Sequence, residues 1–363
     1  MFLVKPNNHM KLFFIGGGTA GSVTPLIPII KKINQNNPND DIFFICEKKD
    51  FLADQLLDDC KYKRVNVFGG KFRRYSSLKN FIDIFKIAIG FIQSFILILK
   101  IKPSIIISAG SYISVPVIIA GKILGKNVLI HQSDTIPGLT NKICKYFADY
   151  ITVSFPETIK YFPAKKTIYT GNPIRKEFQK INFNTDEYIK KLGFLKNLPI
   201  ICVIGGSTGA NYLNKLLLSC LPNLLKSYQI IHITGKEKQI HYSDKRYIQY
   251  DFVTKELSKI LSISSIIVSR AGISFLSELT KFGIPVILIP LPDSPQEKNA
   301  EYFKSINAAI VIKQKTASPD IFTGIINNSI NNKKLLNELS INIRKVFKPN
   351  ALDDIYKIIL ELS

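Results

Sequence analysis

A chain of 363 residues exceeds what one hydrophobic core usually serves, so two domains are the first expectation. Its 46% hydrophobic content, with 24 Phe, excludes disordered and low-complexity classes, and a net charge of +22 turns its long-range field toward anionic partners. Neither an aromatic-and-glycine RNA-binding signature nor a basic recognition helix occurs. An anionic membrane surface is therefore expected rather than nucleic acid, beside the plain alternative of a Lys-, Ile- and Asn-heavy composition spread over the surface.

The stretch from Met1 to Lys11 is polar and lacks the apolar core of a signal peptide, so export is not expected. Beyond it, apolar runs of four to seven residues alternate with helical patterns, the plan of βαβ units on parallel sheets. In the first half, strands are predicted near 11–15, 42–46, 64–68, 104–108, 127–131 and 149–153. The first is followed by Gly16, Gly18 and Gly21, a G-x-G-x-x-G between strand and helix, which can offer backbone amides to an anion. With Glu47 near the end of the second strand to hold a ribose, a dinucleotide-dependent oxidoreductase is one reading.

From Phe81 to Leu99 the chain reads FIDIFKIAIGFIQSFILIL, where Asp83, Lys86 and Gln93 interrupt any membrane span. Helical spacing of Ile82, Phe85, Ile89, Ile92, Ile96 and Leu99 predicts an amphipathic helix. Two readings stand: a crossover helix with this face buried, or a face, Phe85 included, that meets the bilayer interface beside Lys71, Arg73, Arg74 and Lys79. The five cysteines (Cys46, Cys60, Cys144, Cys202, Cys220) are scattered and form no C-x-x-C, which points to a reducing compartment and no structural zinc.

A break is expected at Gly171-Asn172-Pro173, which divides the chain into 1–173 and 174–349, with a last helix in 350–363 free to pack back on the first domain. The second half repeats the plan, with strands near 199–204, 229–233, 247–250, 264–268 and 285–289. LFFIGGGTAGSVTPL (12–26) and ICVIGGSTGANYLN (201–214) are both strand, glycine loop, helix. A single-cofactor dehydrogenase has no use for the second loop, Gly205, Gly206, Ser207 and Gly209. After the apolar run IIV, the segment 269–278 gathers Ser274, Ser277 and Glu278 at a sheet edge, which suits a nucleoside diphosphate: amides and hydroxyls for phosphate, Glu278 for ribose. A helix cap is the plainer reading of Ser274.

These blocks carry a resemblance. GGGTAGSVTP (16–25), SAGSYISVP (108–116), IHQSDTIPGLTNK (130–142), TGNPIR (170–175), GGSTGANYLN (205–214), SRAGISFLSE (269–278) and PLPDSPQEKNA (290–300) resemble, in order, the MurG family, the N-acetylglucosaminyltransferases of peptidoglycan synthesis. The resemblance implies a GT-B fold, two Rossmann-like parallel-sheet α/β domains facing across a cleft. It implies peripheral attachment to the cytoplasmic face of the cell membrane and no cofactor or metal ion. The substrates would be UDP-N-acetylglucosamine and a polyprenyl-diphosphate-linked muramoyl-pentapeptide, with cell-wall synthesis proteins as further partners. Arg175 and Ser207 would hold the diphosphate, Val253 and Ile273, Ser274, Phe275, Leu276 and Ser277 the uracil and phosphate, Glu278 the ribose, and Gln296 the sugar hydroxyls. Thr19, Ala20, Gly21, Asp134 and Asn141 would bracket sugar and acceptor. A transferase with another lipid acceptor, or a UDP-sugar epimerase, would share the fold.

The chain departs from the family pattern where chemistry is expected. Ser22 replaces the usual histidine, and His131-Gln132-Ser133-Asp134 replaces His-Glu-Gln-Asn. An inverting transfer needs a group to accept the acceptor's C4 hydroxyl proton, so Asp134 is the expected general base and His131 the alternative, although a histidine ending an apolar strand is commonly structural.

Overall fold

The computed structural model describes residues 9–48, 50–70, 79–175, 178, 183–206, 209–254 and 256–363. Lys71, Arg73, Arg74 and Ser207 lie outside them. Two compact units result, residues 1–174 with 348–363, and residues 175–347. The chain leaves the first unit after Ile174 and returns at Lys348, against the expected 173 and 350.

In the first unit the strands are β1 (Lys11–Ile15), β2 (Asp41–Cys46), β3 (Lys63–Asn66), β4 (Ile105–Ser108), β5 (Asn127–Gln132), β6 (Tyr150–Val153) and β7 (Thr167–Tyr169). They form one parallel sheet in the order β3-β2-β1-β4-β5-β6-β7, with Leu12 level with Ile42 on one side and Ile105 on the other. Central strands such as IIIS of β4 are buried throughout and almost wholly apolar because both faces of a parallel sheet are covered. The covering helices are α1 (Ala20–Val23), α2 (Leu26–Asn36), α3 (Phe51–Leu56), α4 (Lys79–Ile101), α5 (Ser114–Ile123) and α6 (Leu139–Cys144). Strand order reverses direction between β1 and β4, and the carboxyl ends of strands at such a switch are where ligands bind in open α/β sheets.

The second unit repeats this with β8 (Ile200–Ile204), β9 (Gln229–Ile233), β10 (Tyr247–Tyr250), β11 (Ile266–Ser269), β12 (Val286–Leu288) and β13 (Ile310–Val311), all parallel, ordered β10-β9-β8-β11-β12-β13. Its helices are α7 (Thr185–Lys191), α8 (Asn211–Leu224), α9 (Leu257–Ile263), α10 (Ile273–Phe282), α11 (Pro295–Ser305), α12 (Pro319–Asn331) and α13 (Lys333–Ile343). The final helix, α14 (Ala351–Leu362), belongs to the first unit: Ile355, Ile358 and Ile359 enter the core beside Leu26 and Ile30 of α2, and Lys32 pairs with Asp353. The sequence reading has no strand at the edges β7 and β13, of three and two residues: β7 offers no apolar run, and the run 308–312 around β13 pairs over only two residues.

Helix α4 overturns the buried-crossover reading of its apolar stripe. Of the positions that follow helical spacing, the Ile82 side chain lies outside the described residues and the other five are exposed, Phe85 at 68%, Ile92 at 58% and Ile96 at 60%, with Ile89 and Leu99 beside them. The helix packs inward through Asp83, Gly90, Ser94 and Ile98. Gly90 is required there because a Cβ would collide with the carbonyl of Phe68, and the Ser94 hydroxyl turns back on the Gly90 carbonyl at 2.6 Å. The inner face joins these small and polar residues to Ile98, Phe91, Phe95 and Leu97 of the core, and a second apolar stripe is left facing out. No helix among the described residues is long and apolar enough to cross a membrane.

Candidate active site

Local chemistry closes the first glycine loop. Gly17 and Gly18 take positive φ values of 128° and 78°, conformations that favour glycine. The Gly17 amide donates to Ser22 Oγ at 3.1 Å, and the Ser22 hydroxyl donates back to the loop, 2.9 Å from the Gly17 carbonyl and 3.1 Å from that of Thr19. The Gly18 amide donates to Asp50 Oδ2 at 2.6 Å, while Asp50 Oδ1 caps α3 by accepting from the Ala53 amide. The amides of Gly17 and Gly18 are thus held by the chain's own oxygens, one of them a carboxylate. Glu47, offered for a ribose, hydrogen-bonds the Tyr112 hydroxyl, whose pKa is raised chiefly by burial and next by that carboxylate. The dinucleotide reading of this loop does not survive these contacts.

At the carboxyl ends of β1, β4 and β5 lies a cavity of about 130 Å³, lined by Thr19, Gly21, Ser22, Ala109, Gly110, Gln132, Ser133, Asp134, Gly138 and Asn141. Thr19, Gly21, Ser22, Asp134 and Asn141 were expected in this neighbourhood; Ala20 opens α1 between them. Gln132 and Ser133 were not singled out, although they stand in the block that departs from the family pattern. A chain of amides fixes the wall. Gln132 Nε2 donates to the carbonyls of Asp134 (2.9 Å) and Ile136 (3.3 Å), which leaves Gln132 Oε1 to accept from Asn141 Nδ2 at 2.7 Å. Asn141 Nδ2 also reaches the His131 carbonyl at 3.1 Å. Backbone acceptors therefore dictate both amide orientations.

His131 stands behind this wall, buried, with Nδ1 2.9 Å from Thr152 Oγ1 and Nε2 2.9 Å from Asn172 Oδ1. Burial lowers its pKa to about 4, against the pull of Asn172. A proton acceptor needs a lone pair exposed to substrate, and both ring nitrogens are engaged inside the sheet, so the contacts favour the structural reading of His131. Ser22 is likewise consumed as a loop brace.

The second unit gathers a different chemistry. Arg175 Nε donates to Glu278 Oε1 at 2.6 Å, with Glu278 buried on α10. The guanidinium lies 4.7 Å from the centre of the Phe178 ring, which stands edge-on to Phe282. The residues expected at diphosphate and ribose thus hold each other, a preorganised charge pair. One turn earlier on α10, Ser274 does not cap the helix: the N-cap is Gly272, without a side-chain bond, and Ser274 Oγ is buried with no hydrogen-bond partner among the described residues. An uncapped ten-residue helix with an idle hydroxyl in its first turn suits an anion. Ser277 is spent on the Ile273 carbonyl at 2.7 Å, and Ile273 and Leu276 are buried, so only their backbone can meet a ligand. Phe275 and Val253 are half-buried, the latter in the loop after β10.

Two further side chains hold this edge. Asn299, fully buried on α11, donates to the Ala271 carbonyl at 3.1 Å, and Arg270 Nη1 donates to the carbonyls of Ile289 and Pro290. Gln296 Oε1 accepts from the Leu291 amide at 3.1 Å and Ser294 caps α11, so the sugar-reading side chain expected here gives its oxygen to its own loop. In the glycine loop after β8, Gly209 cannot carry a Cβ, which would strike the Thr234 carbonyl. Asn214 donates to that carbonyl and to that of Lys238, and its Oδ1 lies 3.0 Å from His232 Nε2.

Comparison with known proteins follows the same division. Residues 12–153 match the glycosyltransferase family 28 N-terminal domain and residues 200–355 its C-terminal domain. A protein of Borrelia turicatae called UDP-N-acetylglucosamine--N-acetylmuramyl-(pentapeptide) pyrophosphoryl-undecaprenol N-acetylglucosamine transferase is 37% identical over 355 residues, 97% of this chain and 96% of the relative. A Lachnospira eligens protein of the same name is 34% identical over 97% of this chain and 99% of its own length. Among solved structures, Acinetobacter baumannii MurG is similar with a TM-score of 0.74 at 23% identity, covering 97% of this chain and 99% of that one. A Neisseria meningitidis UDP-GlcNAc 2-epimerase shares the fold at 12% identity and a TM-score of 0.73, over 97% of this chain and all of its own.

Proposed function

This chain belongs to the family of UDP-N-acetylglucosamine--N-acetylmuramyl-(pentapeptide) pyrophosphoryl-undecaprenol N-acetylglucosamine transferases, and from that premise we propose that it moves N-acetylglucosamine from UDP to the C4 hydroxyl of a polyprenyl-diphosphate-linked muramoyl-pentapeptide. The observation that carries the donor half is the α10 amino end, with its idle Ser274 hydroxyl and, one turn on, the Arg175–Glu278 pair. In the transfer the acceptor oxygen forms a bond to the sugar's anomeric carbon as the bond to the UDP oxygen breaks. The departing diphosphate gains negative charge. Arg175 and the α10 amides offset it, an electrostatic stabilisation that needs no metal ion and costs no reorganisation because Phe178 and Glu278 already hold the guanidinium.

The acceptor's proton must leave with the attack. Asp134 is the base in this reading, since it lines the cavity of the first unit while Ser22 and His131 are spent on structure. The test is UDP release by the purified protein with UDP-N-acetylglucosamine, with and without the lipid-linked acceptor. Release that depends on acceptor, with a β-linked disaccharide product, supports the reading; conversion of the UDP-sugar without acceptor would assign an epimerase.

The apolar outer stripe of α4 supports a further part of the proposal, peripheral attachment to the cytoplasmic face of the cell membrane. Phe85, Ile89, Ile92, Ile96 and Leu99 would each gain on the order of 1 kcal/mol by leaving water, and Lys71, Arg73, Arg74 and Lys79 adjoin them in sequence. Co-sedimentation with vesicles containing anionic lipid should fall at least tenfold in an Ile92→Glu, Ile96→Glu double variant. Unchanged sedimentation would remove this part.

A further inference from the structure

Arg270, the residue after β11, is 8% exposed and forms no ion pair among the described residues, and burial lowers its pKa. A buried charge without a counter-charge is expensive, and an apolar side chain of similar volume would fill the same space at less cost. What the guanidinium does there is local: Nη1 donates to the carbonyls of Ile289 at 2.9 Å and Pro290 at 3.1 Å. Strand β12 ends at Leu288, so these two buried carbonyls lie beyond it and need a donor from elsewhere.

The loop that starts there, PLPDSP over 290–295, is closed on itself and on the first turn of α11. The Leu291 amide donates to Gln296 Oε1 and the Asp293 amide to Glu297 Oε2, both at 3.1 Å, while Ser294 Oγ donates to the Leu291 carbonyl at 2.7 Å. Gln296 thus has its oxygen committed, and its Nε2 makes no hydrogen bond among the described residues. Further along α11, Asn299 donates to the Ala271 carbonyl at 3.1 Å. Residues 270 and 271 therefore grip both the start of the loop and the helix that follows it, and they lead directly into Gly272 and the amino end of α10.

Resting on the transfer reading above, with Gln296 on the donor's sugar and the amino end of α10 on its diphosphate, we infer that Arg270 is a positioning residue: by holding the carbonyls of Ile289 and Pro290 it fixes where Gln296 Nε2 stands relative to α10. The amide then donates to a sugar hydroxyl whose place is set by the diphosphate. The guanidinium itself touches neither sugar nor phosphate. Arginine suits the task, since its planar fork serves two neighbouring carbonyls from one rigid group, whereas a lysine would serve them from a point charge on a flexible stem. Sugar recognition should therefore depend on Arg270, and nucleotide affinity should not.

The test compares, on the full-length chain with the lipid-linked acceptor saturating, kcat/KM for UDP-N-acetylglucosamine with the inhibition constant of UDP, which lacks the sugar. Arg270→Met is expected to lower kcat/KM about tenfold, the worth of one hydrogen bond, and to leave the UDP constant unchanged. Arg270→Lys should recover part of the loss. Gln296→Ala should reproduce it, and the Arg270→Met, Gln296→Ala double variant should be no worse than either single variant, because both remove the same contact. If Arg270→Met does not fold, Arg270→Lys takes its place in the cycle with the same expectation of non-additivity. Additive losses, a UDP constant that rises along with the loss in kcat/KM, or an unchanged kcat/KM in Gln296→Ala would each overturn the inference. Failure of the transfer reading looks different: no UDP release from the unaltered chain with the complete lipid-linked acceptor.

Discussion

The two units place a glycine turn after the first strand of the same topology, yet the polar groups left without a partner differ in kind and in place. In the first, Ser22 and Asp50 occupy the turn's amides and the unspent groups are oxygens. In the second, the contrast lies not at the glycine turn after β8 but at the amino end of α10, after β11, which carries no side-chain cap, with Ser274 idle and Arg175 held one turn away on Glu278. A glycine-rich strand-to-helix turn therefore does not specify a phosphate. What decides is whether the surrounding side chains have already claimed the backbone donors.

The largest effect is expected at Arg175. Arg175→Ala removes the donor-side cation and leaves Glu278 buried and unpaired by it. The kcat/KM for UDP-N-acetylglucosamine should fall roughly 10²- to 10³-fold, and the second unit should lose about 3 kcal/mol in urea unfolding. Asp134→Asn tests the other side: kcat should drop roughly 10²-fold or more with the donor KM little changed, and near-normal turnover would end its assignment as base.

Both units bury a neutral histidine, and here they should behave alike. Burial lowers the pKa of His131, against the pull of Asn172, and that of His232, each to about 4 from 6.5. Below 6.5 the unfolded chain binds protons that the native chain refuses, so stability is full above that pH and is lost as pH falls toward 4. Thermal unfolding across that window should show the decline, and His131→Gln or His232→Gln should flatten it in the unit concerned. The smallest effect is expected at Asp50. Asp50→Ala should cost the first unit about 1 kcal/mol through the lost α3 cap, raise the acceptor KM by loosening the 16–21 loop, and leave the donor KM alone. A rise in donor KM instead would mean that the two sites are not chemically separate.

Much of this architecture was legible in the residues. Apolar runs located the central strands to within a residue or two, since a strand buried on both faces must be apolar throughout. Of the edges, β3 and β10 were legible and β7 and β13 were not, because two or three residues carry no period. Helix α4 was read with the right apolar positions but two opposed orientations, and periodicity cannot choose between them: it reports that a face is apolar, not what lies against it. Gly90 was the available sign, a residue without a side chain on the face that proved to pack inward.

At the sites, motif order identified Arg175, Ser274 and Glu278, but their pairing and idleness belong to the folded chain. Asp50 drew no notice because nothing in its neighbours marks a loop brace; it meets Gly18 across 32 positions. Sequence by itself determined two Rossmann-like units, their family, and which short blocks carry chemistry, because strand burial and backbone geometry at glycines leave local signatures. Tertiary structure alone decided which donors and acceptors remain unspent, because a hydrogen bond is a property of two groups brought together, and Asp50 with Gly18, like Arg175 with Glu278, meet from distant parts of the chain.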